Sequence, residues 1–564
     1  MKHAVLATLV CSLLAASYCV AQDTLTDKVD KIFSDWNTTS SPGCALAVAK
    51  DGHIVYEHGY GMANMELGIA ITPQSVFDIG SVSKQITAMA ILLLAQEHKL
   101  SLDDDVRKYL PEIPDYGSTI TIRHMLHHTS GLRNYDDLFD IEGIPEADLT
   151  TDRDAMELIV RQKGVNFKPG EEFLYSDTNF FLMSQIVKRI TGQTLRQFAQ
   201  DRIFGPLGMN STHFHDDHTM IVPRRATGYA PHSSGGFEMD MSNFEQLGDG
   251  SVMTTVEDLF KWDQNFEHPV VGGEDAIRQL TTPGTLNNGE RIPYGMGIFI
   301  DRYRGLNWWH HSGEWVGYRA ALSHFPDQHF STLVLCNCVG SMEPMRMAKR
   351  VADLYLDGDF AQAEKPNSAE NSVAVPAATL QHYTGAYWSE KNGALRRFTI
   401  QDGKLVMVGP GMSYDMLPQG NGQFELVEPD SEHRDKYIFR SNKNGEFELE
   451  TSEGGAPVVY QAVKGSAPDA SHFNDYVGSY TNDELQARWN LVVENGKLIR
   501  QQWMAEDQQL DASFPDGFIA DLSEGEFLMH FVRDRNGRVI GFDVATDMVR
   551  PMRFRKIEGS NRSN

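Results

Sequence analysis

"FDIGSVSKQITAMAILLLAQEHKL", residues 77–100, reads as a glycine-containing turn running into a long apolar helix, with Ser81 at the turn and Lys84 three residues on. Residues i and i+3 of a helix share a face, which brings the hydroxyl and the amine within contact distance. A serine hydroxyl is a poor nucleophile until a base removes its proton, and lysine is that base only where its amine is held largely neutral. Burial in an apolar helix and the positive end of the helix dipole both disfavour a second positive charge there. A lone Ser-x-x-Lys equally describes a solvated lysine beside an N-cap serine, so the pair needs partners elsewhere in the chain.

Two stretches supply them. "EEFLYSDTNFFLMSQIVKRITG" (171–192) places Tyr175, Ser176 and Asp177 just before an apolar helix, and "WWHHSGEWVGYRA" (308–320) places His311, Ser312 and Gly313 on a strand. With these three elements in this order the chain resembles the penicillin-recognising serine hydrolases, specifically the class C β-lactamase-like branch with its D-aminopeptidases, DD-peptidases and esterases. "GYGMANMELGIAITPQSVFDIGSVSKQ" (59–85), "TIRHMLHHTSGL" (121–132), "GDGSVMTTVEDLFKW" (248–262) and "YGMGI" (294–298) extend the match over roughly residues 25–358.

The resemblance implies that Ser81 attacks a substrate carbonyl and is acylated, that Lys84 and Tyr175 share the proton transfers, and that water then hydrolyses the ester. It implies an oxyanion hole from the backbone N–H groups of Ser81 and Glu314, beside Gly313, and a catalytic-site place for His311. No metal or organic cofactor is implied. The chain departs from the better-known members twice: the third motif begins with His311 rather than Lys, and the second ends in Asp177 rather than Asn. Tyr175 and Asp177 could instead be a capping pair at a helix start, since Asp is favoured there, but the full constellation outweighs that reading. Carboxylates at Asp177 and Glu314 would repel a substrate carboxylate and attract an ammonium. Arg319, on the Glu314 strand, is placed to neutralise that residue or to hold a carboxylate itself. Substrates with a free α-amine are therefore expected to outperform their N-acetylated forms and β-lactams.

Other features carry less. His124, His127 and His128 sit at helical spacing, but a zinc site needs ligands the sequence does not place; in the family this segment is structural. Trp308 and Trp309 read as core or pocket wall, and Asp258 and Trp262 as parts of a packed helix. The formal net charge of −27, without a Lys/Arg cluster, argues against nucleic-acid or anionic-membrane partners.

Residues 1–21 combine a basic start, an apolar run from Ala4 to Ala16 and small residues at Cys19 and Ala21, the pattern of a cleavable secretory signal. Export in a two-membrane bacterium would place the mature protein in the periplasm. No later segment offers about 18 uninterrupted apolar residues, so no membrane insertion is expected. Three of the five cysteines, Cys44, Cys336 and Cys338, remain after cleavage and allow one disulfide.

Residues 22–360 read as one α+β hydrolase domain, in which "GCALAVAKDGHIVYEHGYG" and "YRAALSHFPDQHFSTLVLCNC" are hairpins from opposite ends of the segment that meet in one antiparallel sheet flanked by helices. A Pro/Ala/Ser-rich linker, 361–379, follows. Beyond it the texture repeats: "HYTGAYWSEKNGALRRFTIQDGKL" and "DYVGSYTNDELQARWNLVVENGKL" align without gaps, Tyr383, Gly385, Tyr387 and Gly403 matching Tyr476, Gly478, Tyr480 and Gly496, each pair 93 apart (476 − 383). Two small antiparallel barrels are expected at 380–464 and 472–560. A hydrolase domain followed by two lipocalin-like barrels is the arrangement of bacterial D-aminopeptidases, in which a loop from the last barrel narrows the cleft. The expected function is thus a secreted serine hydrolase of small peptides, amides or esters, most like a D-aminopeptidase. The alternatives are a β-lactamase, DD-carboxypeptidase or carboxylesterase of the same fold, or an acylated cell-wall sensor that does not turn over. Oligomeric state is not legible.

Overall fold

Asp51 and Gly52 both have positive φ, 50° and 77°, the backbone that a tight two-residue hairpin requires, and they join strands Cys44–Lys50 and His53–Tyr60. This hairpin closes one end of a six-stranded antiparallel sheet whose order is Phe299–Tyr303, Leu306–Trp315, Tyr318–Phe325, Phe330–Cys336, Cys44–Lys50 and His53–Tyr60. Residues from opposite ends of the hydrolase segment thus meet as expected: Cys44 lies opposite Cys336 and a disulfide joins them, while Cys338 is a buried free thiol. The computed structural model describes residues 24–557, apart from Ser341, Asn444, Met504 and segments 361–372, 410–411, 428–433, 453–454 and 522–524. The expected signal segment and residues 361–372 of the expected linker lie outside the described residues. The linker's last residues enter a short helix, Ala377–Leu380.

Strand Cys44–Lys50 is buried on both faces, and alternate residues serve different cores. Leu46 and Val48 pack with helices Leu25–Ile32 and Pro344–Tyr355 through Val29, Met347 and Val351. Ala45 and Ala47 face the larger core, which holds helices Lys84–Gln96 and Asp177–Thr191. Every residue from Lys84 to Leu94 is buried, which explains a helix apolar all round rather than on one stripe. No helix of the described residues is long and apolar enough to cross a membrane.

Two closed eight-stranded barrels follow, spanning strands Gly385–Ser389 to Val458–Ala462 and Gly478–Asn482 to Met552–Lys556. The repeat is visible in bonds: the Tyr387 hydroxyl donates to the Tyr383 carbonyl and, 93 residues on, the Tyr480 hydroxyl donates to that of Tyr476. The interior of the first barrel is a core of its own, built on Phe398, Phe439 and Tyr460. That of the second is continuous with the hydrolase core. Trp489 Nε1 and Gln502 Nε2 each donate to the Ile141 carbonyl at 3.1 Å, satisfying an acceptor at the end of helix Tyr135–Glu142 that has no partner within the helix.

Candidate active site

Ser81 sits in a single 3-10 turn, Gly80–Ser83, leading into helix Lys84–Gln96. In that tight turn i and i+3 eclipse, and Lys84 Nζ comes within 2.8 Å of Ser81 Oγ. The turn is pressed against strand Leu306–Trp315. A Cβ on Gly80, whose φ is +47°, would meet Glu314 N at 2.7 Å, and one on Gly313 would meet the Ile79 carbonyl at 1.9 Å. Only glycine at both positions lets the Ser81 backbone lie against that of Glu314.

Lys84 is fully buried, yet its ammonium is well supplied: it donates to the Asp249 carbonyl at 2.8 Å and pairs with Asp177 Oδ1 at 2.5 Å. The Tyr175 ring lies 4.8 Å from Nζ. Asp177 is the first residue of helix Asp177–Thr191, where the dipole favours a carboxylate, and its N–H donates to Asn134 Oδ1. The cap position itself belongs to Ser176. Asp177 therefore serves Lys84 with its side chain and the helix start with its backbone.

Behind Tyr175 lies a chain of neutral rings. His128 stacks on Tyr175 at 4.2 Å between centroids. Its Nδ1 accepts the Ser176 N–H, so the network assigns the proton to Nε2, which donates to the Tyr294 hydroxyl. That hydroxyl then donates to His311 Nε2, leaving His311 Nδ1–H to donate to the Ser312 carbonyl. Burial holds His311 down to about 3, with the nearby Lys84 charge adding to the effect, and holds His128 well below its ordinary value. His311 is thus a buried support behind Tyr175 and does not line either hollow beside Ser81.

Those hollows differ. The smaller, about 70 Å³, is lined by Ser81, Asp136, Asp177, Asp249 and Glu314 among others, seven carboxylic side chains in all with no Lys or Arg among the described lining residues. Asp249 Oδ2 accepts from Tyr135, whereas Oδ1 is buried without a hydrogen-bond partner among the described residues. Burial and the Asp177 charge push the Asp249 carboxyl up to about 7 against the pull of Lys84. Glu314 is half-exposed and pairs with Arg319 at 3.5 Å, and Arg319 also donates to the Val316 and Tyr318 carbonyls. Asp177 and Glu314 thus each have a cation beside them, Lys84 and Arg319, while the described lining of the hollow that holds them and the other carboxylic side chains contains no Lys or Arg. The larger hollow, about 1430 Å³, runs from Tyr175 and Gly313 toward the first barrel.

The loop between strands Val539–Ala545 and Met552–Lys556 reaches the cleft from the second barrel. Met548 lines both hollows. Asn166 clamps the loop, accepting the Arg550 N–H and donating to the Met548 carbonyl, both at 2.9 Å, while Thr546 donates to Asp137. Tyr294 and Asp249 lay inside motif stretches, but nothing local marked them, since their partners are more than 100 residues away in three of four bonds: His128 for Tyr294, Lys84 and Tyr135 for Asp249. Among the described residues, Asp136, Asp177 and Asp249 could also gather around a cation; the ammonium of Lys84 already occupies one side of that trio.

The model of the family described as Beta-lactamase matches residues 26–357. The chain is 25% identical over 532 residues to a D-aminopeptidase of Brucella anthropi, covering 92% of this chain and 96% of the relative, and 25% identical over 527 residues to one of Brucella canis. Two solved structures share the fold. An octameric penicillin-binding protein homologue from Pyrococcus abyssi has a TM-score of 0.54 at 22% identity, covering 77% of this chain and 99% of that one. A D-amino acid amidase from Ochrobactrum anthropi has 0.51 at 20%, covering 59% and 99%. With its sheet, its Ser-x-x-Lys turn and a match spanning residues 26–357, the chain belongs to the beta-lactamase family of penicillin-recognising serine hydrolases.

Proposed function

We propose that the protein is an exported D-aminopeptidase-like hydrolase that removes a small N-terminal residue bearing a free amine, through an acyl-enzyme on Ser81. The observation that carries this reading is Lys84 Nζ held between Ser81 Oγ, Asp177 Oδ1 and the Asp249 carbonyl. When the lysine proton shifts toward Asp177, the amine accepts the Ser81 hydroxyl proton as Oγ bonds to the substrate carbonyl carbon. The oxyanion forms against the backbone N–H groups of Ser81 and Glu314. Collapse breaks the C–N bond, and the leaving amine takes a proton delivered by Lys84 or the adjacent Tyr175. Water then attacks the ester, giving up a proton to the same pair and releasing the carboxylate and Ser81.

The free-amine preference rests on the smaller hollow, whose carboxylates have no cation among the described lining residues, and on the likeness to D-aminopeptidases over most of the chain. An ammonium there would meet Asp249 Oδ1, which has no hydrogen-bond partner among the described residues. A carboxylate-bearing β-lactam would meet repulsion.

Ser81→Ala and Lys84→Ala should each lower kcat on D-Ala p-nitroanilide by about 10³-fold or more with the fold intact by circular dichroism. A fluorescent phosphonate should label wild type but not Ser81→Ala. Wild-type activity in either variant would sink the assignment. If nitrocefin or an acyl-D-Ala-D-Ala peptide instead gives the highest kcat/KM, the chemistry stands and the free-amine reading falls. Labelling without turnover on any substrate would favour an acylated sensor.

A further inference from the structure

The larger hollow is bounded near Ser81 by Tyr175, Ser312 and Gly313, and on its far side by Tyr414, Lys436 and Ser452 of the first barrel. Glu314 and Met548 line both hollows, so the two open toward each other across the strand that flanks Ser81. The first barrel contributes no described residue to the smaller, acidic hollow. Among the described residues its contact with the catalytic cleft is this wall.

In an aminopeptidase the ammonium belongs to the acyl half of the substrate. If the acidic hollow takes that half, as proposed above, the leaving half must extend from the opposite side of the scissile carbon. That side is the larger hollow. Its volume of about 1430 Å³ exceeds the roughly 300–1,000 Å³ of an ordinary small-molecule pocket, whereas about 70 Å³ on the acyl side admits only a small group. Its lining also differs in kind: six carboxylic residues are matched by six Lys or Arg, with aromatic rings of Phe299, Trp308 and Tyr414 between them. A lining with no net formal charge and several rings suits a peptide of mixed sequence better than a single anionic group.

We propose that this hollow is the groove for the leaving peptide and that the first barrel is its roof, so that the preferred substrates are peptides of several residues rather than amino-acid amides. The inference rests on the acyl-half assignment above. Peptide residues beyond the scissile bond reach the groove, and binding there is used to hold the carbonyl against Ser81. No further bond is made or broken.

The test is a length series on the full chain: D-Ala amide, D-Ala-Gly, D-Ala-Gly-Gly and D-Ala-(Gly)4. From the first to the last, kcat/KM should rise about tenfold or more, since remote binding energy is expressed at the reacting carbon. In Ser452→Trp, which fills the groove, and in Tyr414→Ala, which removes a ring from its roof, the pentapeptide-to-amide ratio should fall to about three or less. A flat length profile, or a ratio unchanged in both variants, overturns the proposal. Calorimetric binding of tetraglycine to full-length Ser81→Ala reads the groove without turnover. Binding that Ser452→Trp abolishes supports the proposal, and absence of binding overturns it. Failure to hydrolyse any member of the series, with tetraglycine still bound, would reject the proposed activity and leave the groove standing.

Discussion

The two barrels descend from one repeat yet are joined to the rest of the molecule in different ways. At the first strands they are near copies, down to the Tyr387 and Tyr480 hydroxyls that each reach back four residues. Nine residues after each tyrosine they part. The second barrel has Trp489, fully buried and bonded to the Ile141 carbonyl of the hydrolase; the first has Arg396, part-exposed, whose guanidinium lies over the Tyr460 ring of its own barrel. The second barrel also anchors Arg133 and Arg161 through Glu484, and Asp137 through Thr546. The first holds the hydrolase mainly through Glu172, which accepts Lys391 and bridges to Gly455. One module has become part of the catalytic core, and the other remains a separate body placed over the cleft. The shape is shared; the aromatic-for-cation difference at this position is one of several contacts, with Gln502, Glu484 and Thr546, that tie the second barrel to the hydrolase.

The largest test of this contrast is truncation. Residues 22–360 alone should fail to give a soluble, cooperatively unfolding protein, because removal strips the carbonyl partners from helix Tyr135–Glu142 and opens a continuous core. A soluble, folded fragment with native circular dichroism would show that the second barrel is docked rather than integral. The next is the matched pair. Trp489→Ala should cost about 3–5 kcal/mol in denaturant unfolding, and Arg396→Ala less than about 1 kcal/mol. Equal costs would erase the distinction.

A smaller effect separates the hydrolase unit from the first barrel by pH. Burial pulls the His324 imidazole down, but the carboxylates of Asp263, at 2.9 Å, and Glu267, at 3.3 Å, outweigh it and hold the group up at about 9. A group raised in the folded state contributes its full stability below about 6.5, its unfolded value, and loses it as pH rises through 9. The stability of the hydrolase-and-second-barrel unit should fall by up to about 3 kcal/mol between pH 6.5 and 10. The first barrel has no such group among its described residues. Calorimetric scans across that range should move the transition of the hydrolase-and-second-barrel unit and leave that of the first barrel in place. His324→Gln should flatten the pH response.

The sheet, the Ser81–Lys84 face and the duplicated barrels were legible because each depends on local periodicity or on residues a few positions apart. The Ser81–Lys84 contact follows from one turn of helix, and the 93-residue spacing is written in Tyr and Gly. The charge of the site was legible in part. Asp177 and Glu314 line the smaller hollow, and Arg319 reaches Glu314 from its place on the next strand, but no local pattern marked the pairing of Asp177 with Lys84 across 93 positions of sequence (177 − 84). His311 was expected in the catalytic constellation, yet Tyr294 and the Ser312 carbonyl hold it behind Tyr175. Asp249 and Met548 reach the same cleft from distant segments, and pattern reading has no handle on such meetings.

The pairing of Cys44–Lys50 with Phe330–Cys336 also sets a timetable for synthesis. The strand that ends up at the interior of the sheet leaves the ribosome early, and its partner is 292 residues behind. At roughly 5–20 residues per second the wait is about 15 to 60 s. During it, "CALAVAK" is an apolar segment with one open edge, the condition in which nascent chains pair with the wrong neighbour. The hairpin partner His53–Tyr60 follows at once and covers the other edge. A chain built in this order leaves that edge open until residues 330–336 emerge, so how much of it survives production depends on elongation rate as well as on the stability of the finished fold.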